Sequence, residues 1–121
     1  MTQSLSGKSV LIVEDEFIIG LMLRREIASV GGTSIGPVNS VADALKEIEA
    51  QVIHAAVLDA KLADGTSAEL AACLEDRRIP YVVVSGYDKA SLPKELKSAP
   101  FIAKPVSVPL LMEAIQRLNG S

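Results

Sequence analysis

Five short apolar runs, each followed by a stretch with helical spacing, constrain this chain more than any single residue does. Runs rich in Val and Ile lie at 10–13, 53–58 and 81–84, with a weaker one at 101–103. A further run, 33–38, is interrupted by Gly36 and Pro37. Continuous apolar runs of this kind suit strands buried on both faces. Helical patterns fill the gaps. In 17–30, Ile19, Met22, Leu23, Ile27 and Val30 make a stripe, and Gly31-Gly32 ends it. In 41–51 the stripe is Val41, Leu45 and Ile48, with Ser40 and Asp43 as an N-terminal cap. In 67–77, Thr66 and Glu69 form a capping box ahead of Leu70, Cys73 and Leu74. In 108–119, Ser107 caps the stripe of Leu111, Ile115 and Leu118. The stretch 88–98 is a polar, weaker pattern carrying Pro93, which a first helical turn tolerates. Strand then helix, five times in 121 residues, predicts one doubly wound α/β domain. Its parallel sheet has five strands, with helices on both faces.

In such folds the functional site lies outside the carboxyl ends of the strands. The residues that follow each apolar run are therefore the ones to compare. Glu14 and Asp15 follow the first, Asp59 the third, Ser85-Gly86 the fourth and Lys104-Pro105 the fifth. Val38-Asn39 ends the second and is chemically mild. Singly, each has an ordinary explanation as a cap, a turn residue or a solvated cation. Together they bring three carboxylates, a hydroxyl and an ammonium to one rim. Three crowded carboxylates repel, and a divalent cation relieves that. An oxygen-only donor set favours Mg²⁺ over zinc, and Mg²⁺ favours a phosphate co-ligand. A carboxylate beside Mg²⁺ can attack phosphorus and become an acyl phosphate. Lys104 and Ser85 would then serve the phosphoryl oxygens. Glu16 reads instead as an ordinary first-turn acid complementing the helix dipole, outside the site.

Composition narrows the classes. With 49% apolar and 22% charged residues the chain is globular, and a net charge of −3 gives no basic footprint for direct nucleic-acid binding. Cys73 is the one cysteine, so no internal disulfide can form, and its apolar helical setting reads as core or boundary. His54 has no second His or Cys near it, which argues against zinc. No apolar run approaches the roughly 20 residues of a membrane span, and residues 1–9 lack the apolar segment of a signal peptide. The expectation is a cytoplasmic protein with no membrane partner.

Acids after strand one, Asp after strand three, Ser after strand four and Lys-Pro after strand five resemble the receiver domain of two-component response regulators. The resemblance spans about residues 7–119 of the 121 and implies a flavodoxin-like sheet of order 2-1-3-4-5. It implies that Asp59 accepts a phosphoryl group from a phosphohistidine of a bacterial histidine kinase or histidine phosphotransfer protein. It implies Mg²⁺ held by Asp15, Asp59 and the Lys61 backbone carbonyl, with Glu14 helping through water. Ser85 and Lys104 would hold phosphoryl oxygens, and Lys104-Pro105 would be cis. Phe101 takes the place of the family's switch aromatic, turning inward as phosphate draws Ser85; a plain core Phe is the other reading. Catalysis would be limited to self-phosphorylation from a phosphodonor and slow autodephosphorylation. No output domain is expected within 1–121, and the protein would be a monomer or weak dimer.

Two departures carry information. The loop after Asp59, AKLADG, lacks the family's usual Pro and reaches its Asp-Gly turn about two residues early, next to the Lys61 carbonyl. After strand four, Ser85-Gly86-Tyr87 approximates the motif of a variant, stand-alone receiver type found in alphaproteobacteria, and 88–98 reads as a mobile helix. Phe17, Ile18 and Leu21 flank the first helical stripe beside the acids. They read as a docking surface for a partner helix, or as part of a helix buried more widely. Two other functions fit parts of the pattern. A Mg²⁺-dependent phosphatase with an aspartyl nucleophile would want Asp-x-Asp, where this chain has Asp59-Ala60-Lys61. A degenerate receiver acting only by binding would not need the full set of Asp15, Asp59, Ser85 and Lys104.

Overall fold

A computed structural model describes residues 5–62, 64–86, 92, 94–97, 99–105 and 107–120, with 66, 119 and 120 described by backbone alone. The apolar runs become strands β1 (Ser9–Val13), β2 (Thr33–Val38), β3 (Ala55–Asp59), β4 (Tyr81–Ser85) and β5 (Phe101–Ala103). They form one parallel sheet of order β2-β1-β3-β4-β5. Helices α1 (Phe17–Ser29), α2 (Val41–Ala50), α3 (Ala68–Asp76) and α4 (Val108–Gly120) connect or follow the strands. This is the doubly wound architecture that the alternation predicts. Of the stretch 88–98, only residues 92 and 94–97 are described, with one 3₁₀ turn at Lys94–Leu96; the rest of the expected helix lies outside the described residues, as does Tyr87.

The sheet is apolar on both faces because helices cover both. Leu11, Val13, Ala56, Leu58 and Val83 point into one core, with Ile48 of α2 and Leu70 and Leu74 of α3. Val10, Ile12, Val57, Val82 and Val84 point into the other, with Leu23 and Ile27 of α1 and Leu111 and Ile115 of α4. Cys73 packs against the first core, as its setting suggested. His54 is structural: its Nδ1 accepts from the Ser9 N–H at 2.9 Å, fixing the entry to β3 against β1.

The caps at Ser40 and Ser107 form. Ser40 Oγ accepts from the Asp43 N–H at 3.1 Å, and Ser107 Oγ from the Leu110 N–H at 3.5 Å. Gly31, at φ +88, ends α1, and the Gly31 and Gly32 N–H groups donate to the Ala28 and Ile27 carbonyls. The expected box at Thr66 does not form the start of α3. Gly65–Thr66 pair with Lys61–Leu62 in a small antiparallel ladder, so the N-cap falls one residue later, on Ser67.

The first helix also differs from its predicted stripe. Leu23 and Ile27 are buried, but Met22 is 48% exposed, because the buried face is centred on Gly20. Gly20 sits against Pro37 of β2, where Gly36 (φ +94) and a cis Gly36-Pro37 bond accompany a register shift against β1. A Cβ on Gly20 would lie 2.6 Å from Pro37 Cβ. Gly20→Ala is therefore expected to destabilise the fold by about 2 kcal/mol, outweighing the roughly 1 kcal/mol that Ala adds to a helix. Urea unfolding of the variant measures the difference.

Candidate functional site

Strand register brings the polar residues level. Val13 pairs with Leu58, Asp59 with Val84, and Ser85 with Ala103. Glu14, Asp59, Ser85 and Lys104 therefore reach the same carboxyl-end rim from four strands. Asp59, Ser85 and Lys104 meet at a cleft of about 490 Å³ lined also by Asp15, Glu16, Lys61, Leu62 and Gly86, and the Glu14 carboxylate reaches it through Lys104.

Lys104 is the hub. Its Nζ lies 2.9 Å from Asp59 Oδ2, 3.0 Å from Glu16 Oε1 and 3.5 Å from Glu14 Oε1. The Lys104 N–H donates to the Ser85 carbonyl at 2.8 Å, which anchors the residue's backbone beside the end of β4. Lys104-Pro105 is cis, as the resemblance implied. Burial alone would lower the lysine pKa, but the ion pairs with Asp59 and Glu16 outweigh it and hold the group above its ordinary value. Lys104 is thus an ammonium at any working pH.

Asp59 is 4% exposed and Glu14 is 2% exposed. The Lys61 N–H donates to Asp59 Oδ1 at 3.3 Å. Glu14 Oε1 accepts from the Glu16 N–H at 3.1 Å, whereas Glu14 Oε2 is buried without a hydrogen-bond partner. Burial pushes the Glu14 carboxyl up to about 7, and the neighbouring Asp59 carboxyl adds to this. Asp15 is exposed, and a hydrogen bond with the Asp59 carboxyl raises it, with some burial adding. One oxygen from each of Glu14, Asp15 and Asp59 can be chosen so that all lie within 4.8 Å of one another. An orphaned buried carboxylate oxygen in a three-acid, oxygen-only cluster fits a hard divalent cation such as Mg²⁺.

Ser85 is buried at the end of β4, on the wall of the cleft. Phe101 is half-buried and packs against the core shared by α2 and α3. Lys61 lines the cleft from the ladder after β3. Phe17, Ile18 and Leu21 lie outside the cleft, 66%, 73% and 44% exposed, so the widely buried version of α1 is not the one adopted.

Glu16 requires a correction. The sequence reads it as a helix-dipole acid outside the site, yet it pairs with Lys104. As the N-cap residue of α1 it has extended backbone (φ −87, ψ 98) and makes no side-chain cap bond, which leaves its carboxylate for the cleft. Its position as the third acid of EDE was the available signal. Ser67 was missed altogether. It is fully buried, its hydroxyl donates to the Asp59 carbonyl, and its N–H donates to the Ala60 carbonyl at 3.1 Å.

No protein-family model and no curated protein matches the chain. Solved structures do. SdrG from Sphingomonas melonis Fr1 is 34% identical, covering 93% of this chain and 96% of its own, with a TM-score of 0.78. A response regulator receiver domain (CheY-like) from Methylobacillus flagellatus is 25% identical over 92% of this chain and 98% of its own, with a TM-score of 0.76. A Burkholderia pseudomallei response regulator, solved with a phosphorylated aspartic acid, a calcium ion and citrate, shares the fold at 22% identity and a TM-score of 0.78, over 93% of this chain and 69% of its own. With this likeness over nearly its whole length, and acids, Ser and Lys-Pro at the matching strand ends, the chain belongs to the response regulator receiver domains, a family of signalling modules.

Proposed function

We propose that the protein is a phosphoacceptor module in which Asp59 takes a phosphoryl group from a phosphohistidine of a histidine kinase or phosphotransfer protein. The observation that carries this is the pairing of a buried Asp59, 2.9 Å from Lys104, with a three-acid cluster that contains an unsatisfied carboxylate oxygen. Glu14, Asp15 and Asp59 would hold Mg²⁺, with the Lys61 backbone carbonyl as a further ligand. Bound there, Mg²⁺ would neutralise the acids and stabilise charge on the phosphoryl oxygens. An Asp59 carboxylate oxygen attacks phosphorus as the P–N bond breaks. The bonding pair returns to the imidazole nitrogen, which gains a proton from solvent, and an acyl phosphate remains on Asp59. Lys104 turns its ammonium to a phosphoryl oxygen, and the Ser85 hydroxyl donates to another. Movement of Ser85 is passed to Phe101, which alters the partner-binding face. The Burkholderia relative with its phosphorylated aspartic acid supports the reading at the level of fold.

The exposed Phe17, Ile18 and Leu21 sit beside the acids and would seat an apolar helix of the donor, bringing its histidine to Asp59. Incubation with a phosphorylated histidine phosphotransfer protein tests both parts. Wild type should take up the label and Asp59→Asn should take up none. Leu21→Arg should slow transfer from the protein donor by roughly tenfold or more, the cost of a charge in an apolar contact, while leaving phosphorylation by acetyl phosphate intact. Labelled Asp59→Asn would end the phosphoacceptor reading, and an unchanged Leu21→Arg rate would end the docking assignment alone.

A further inference from the structure

Asp64 carries a carboxylate that does not belong to the cleft. Its Oδ1 accepts from the Val41 N–H at 2.9 Å and its Oδ2 from the Ala42 N–H at 3.3 Å. These amides open α2, 23 residues earlier in the chain. The same helix already has a local cap, because Ser40 Oγ accepts from the Asp43 N–H. A helix capped in its own sequence does not need a second acid from a distant loop in order to form. The bond therefore matters more for the loop than for the helix.

That loop begins at Asp59. Lys61–Leu62 fold back on Gly65–Thr66, and Leu62 is buried in the core between sheet and helices. Ser67 ties the base of this ladder to the Asp59 and Ala60 carbonyls. Asp64 ties its outer end to α2. Between the two ties lies Lys61, which lines the cleft and whose N–H reaches the Asp59 carboxylate.

We propose that Asp64 is a positioning residue for the cation site, holding the ladder after Asp59, and through it the Lys61 backbone and the Asp59 carboxylate, by its bonds to the first turn of α2. This rests on the Mg²⁺ reading above. Coupling of this kind is reciprocal: if the tie favours cation binding, the cation strengthens the tie. The first turn of α2 then responds to events at Asp59 although none of the described residues that line the cleft belongs to α2.

Calorimetric Mg²⁺ titration of the full chain, with amide exchange followed by NMR, tests this. Asp64→Ala should bind Mg²⁺ roughly tenfold more weakly, the usual scale for residues that orient metal ligands. Asp64→Asn keeps a side-chain oxygen acceptor and should recover much of the affinity. In wild type, Mg²⁺ should slow exchange at the Val41 and Ala42 amides, and Asp64→Ala should abolish that slowing. Equal Mg²⁺ affinity in wild type and Asp64→Ala overturns the proposal. Equal weakening in Asp64→Ala and Asp64→Asn also overturns it, because the effect would then belong to the charge. A wild type that binds no Mg²⁺ defeats the cation reading itself, and the positioning role with it.

Discussion

Glu14→Gln is expected to make the metal-free protein more stable, by about 2–3 kcal/mol at pH 8. The carboxyl is buried beside Asp59, and its pKa rises from 4.5 to about 7 on folding. Below pH 4.5 the carboxyl is protonated in both the folded and the unfolded chain, and the shift has no effect on stability relative to that state. Between 4.5 and about 7 the unfolded chain loses the proton first, so stability falls as pH rises. Above about 7 the full penalty is present. Glutamine carries no such proton. The wild-type and variant stability curves, measured by urea unfolding in EDTA, should therefore diverge as pH increases through this window. Mg²⁺ should narrow the gap by stabilising wild type more, since the orphaned Glu14 oxygen is where the acids most need a cation. A variant no more stable than wild type at pH 8 would mean that the acid cluster is not under electrostatic load.

Lys104→Met is expected to act in the opposite direction and more broadly. Methionine keeps much of the side-chain volume but leaves Asp59 and Glu14, whose side chains are only 5% and 1% exposed, without their ammonium. Removing one partner of a buried ion pair costs about 3 kcal/mol. The loss should grow with pH as the Glu14 carboxyl ionises, and Mg²⁺ should restore a large part of it by supplying the missing positive charge. Glu14→Gln should gain more stability in the Lys104→Met background than in wild type, because the two groups share one cluster. Phosphoryl uptake should nonetheless stay slow, by roughly 10²-fold, since a donor to the transferring phosphoryl oxygens is gone. Stability restored together with full reactivity would show that Lys104 serves the fold alone.

The sheet was legible because its strands are buried on both faces: an unbroken VLIV or YVVV has few other homes, and the residue after each run follows directly. That is why the sequence alone puts Asp59, Ser85 and Lys104 on one rim, where the structure has them. What escaped depends on side-chain direction or on contacts distant in sequence. Met22 and Leu23 are neighbours at helical spacing, and only the fit of Gly20 against Pro37 decides which faces the core. Glu16 reads in the sequence as a dipole partner, and its pairing with Lys104, with no cap bond made, is a contact 88 residues away that leaves no local signature. Ser67 looked like one more residue near a helix start, but the ladder moved the helix start onto it and turned its hydroxyl toward the Asp59 carbonyl. The early Asp-Gly turn was visible, yet its bond to α2 spans 23 residues and leaves no local signature.

The central claim is that Asp59 is a nucleophile whose reactivity depends on the acids and the lysine around it. Intact mass spectrometry after incubation with acetyl phosphate and Mg²⁺ tests this most directly. The account predicts a gain of one phosphoryl group in wild type, absent in EDTA, absent in Asp59→Asn, and strongly reduced in Lys104→Met. A wild-type mass that stays unchanged with Mg²⁺ present, or a phosphoryl group that Asp59→Asn still acquires, would contradict it.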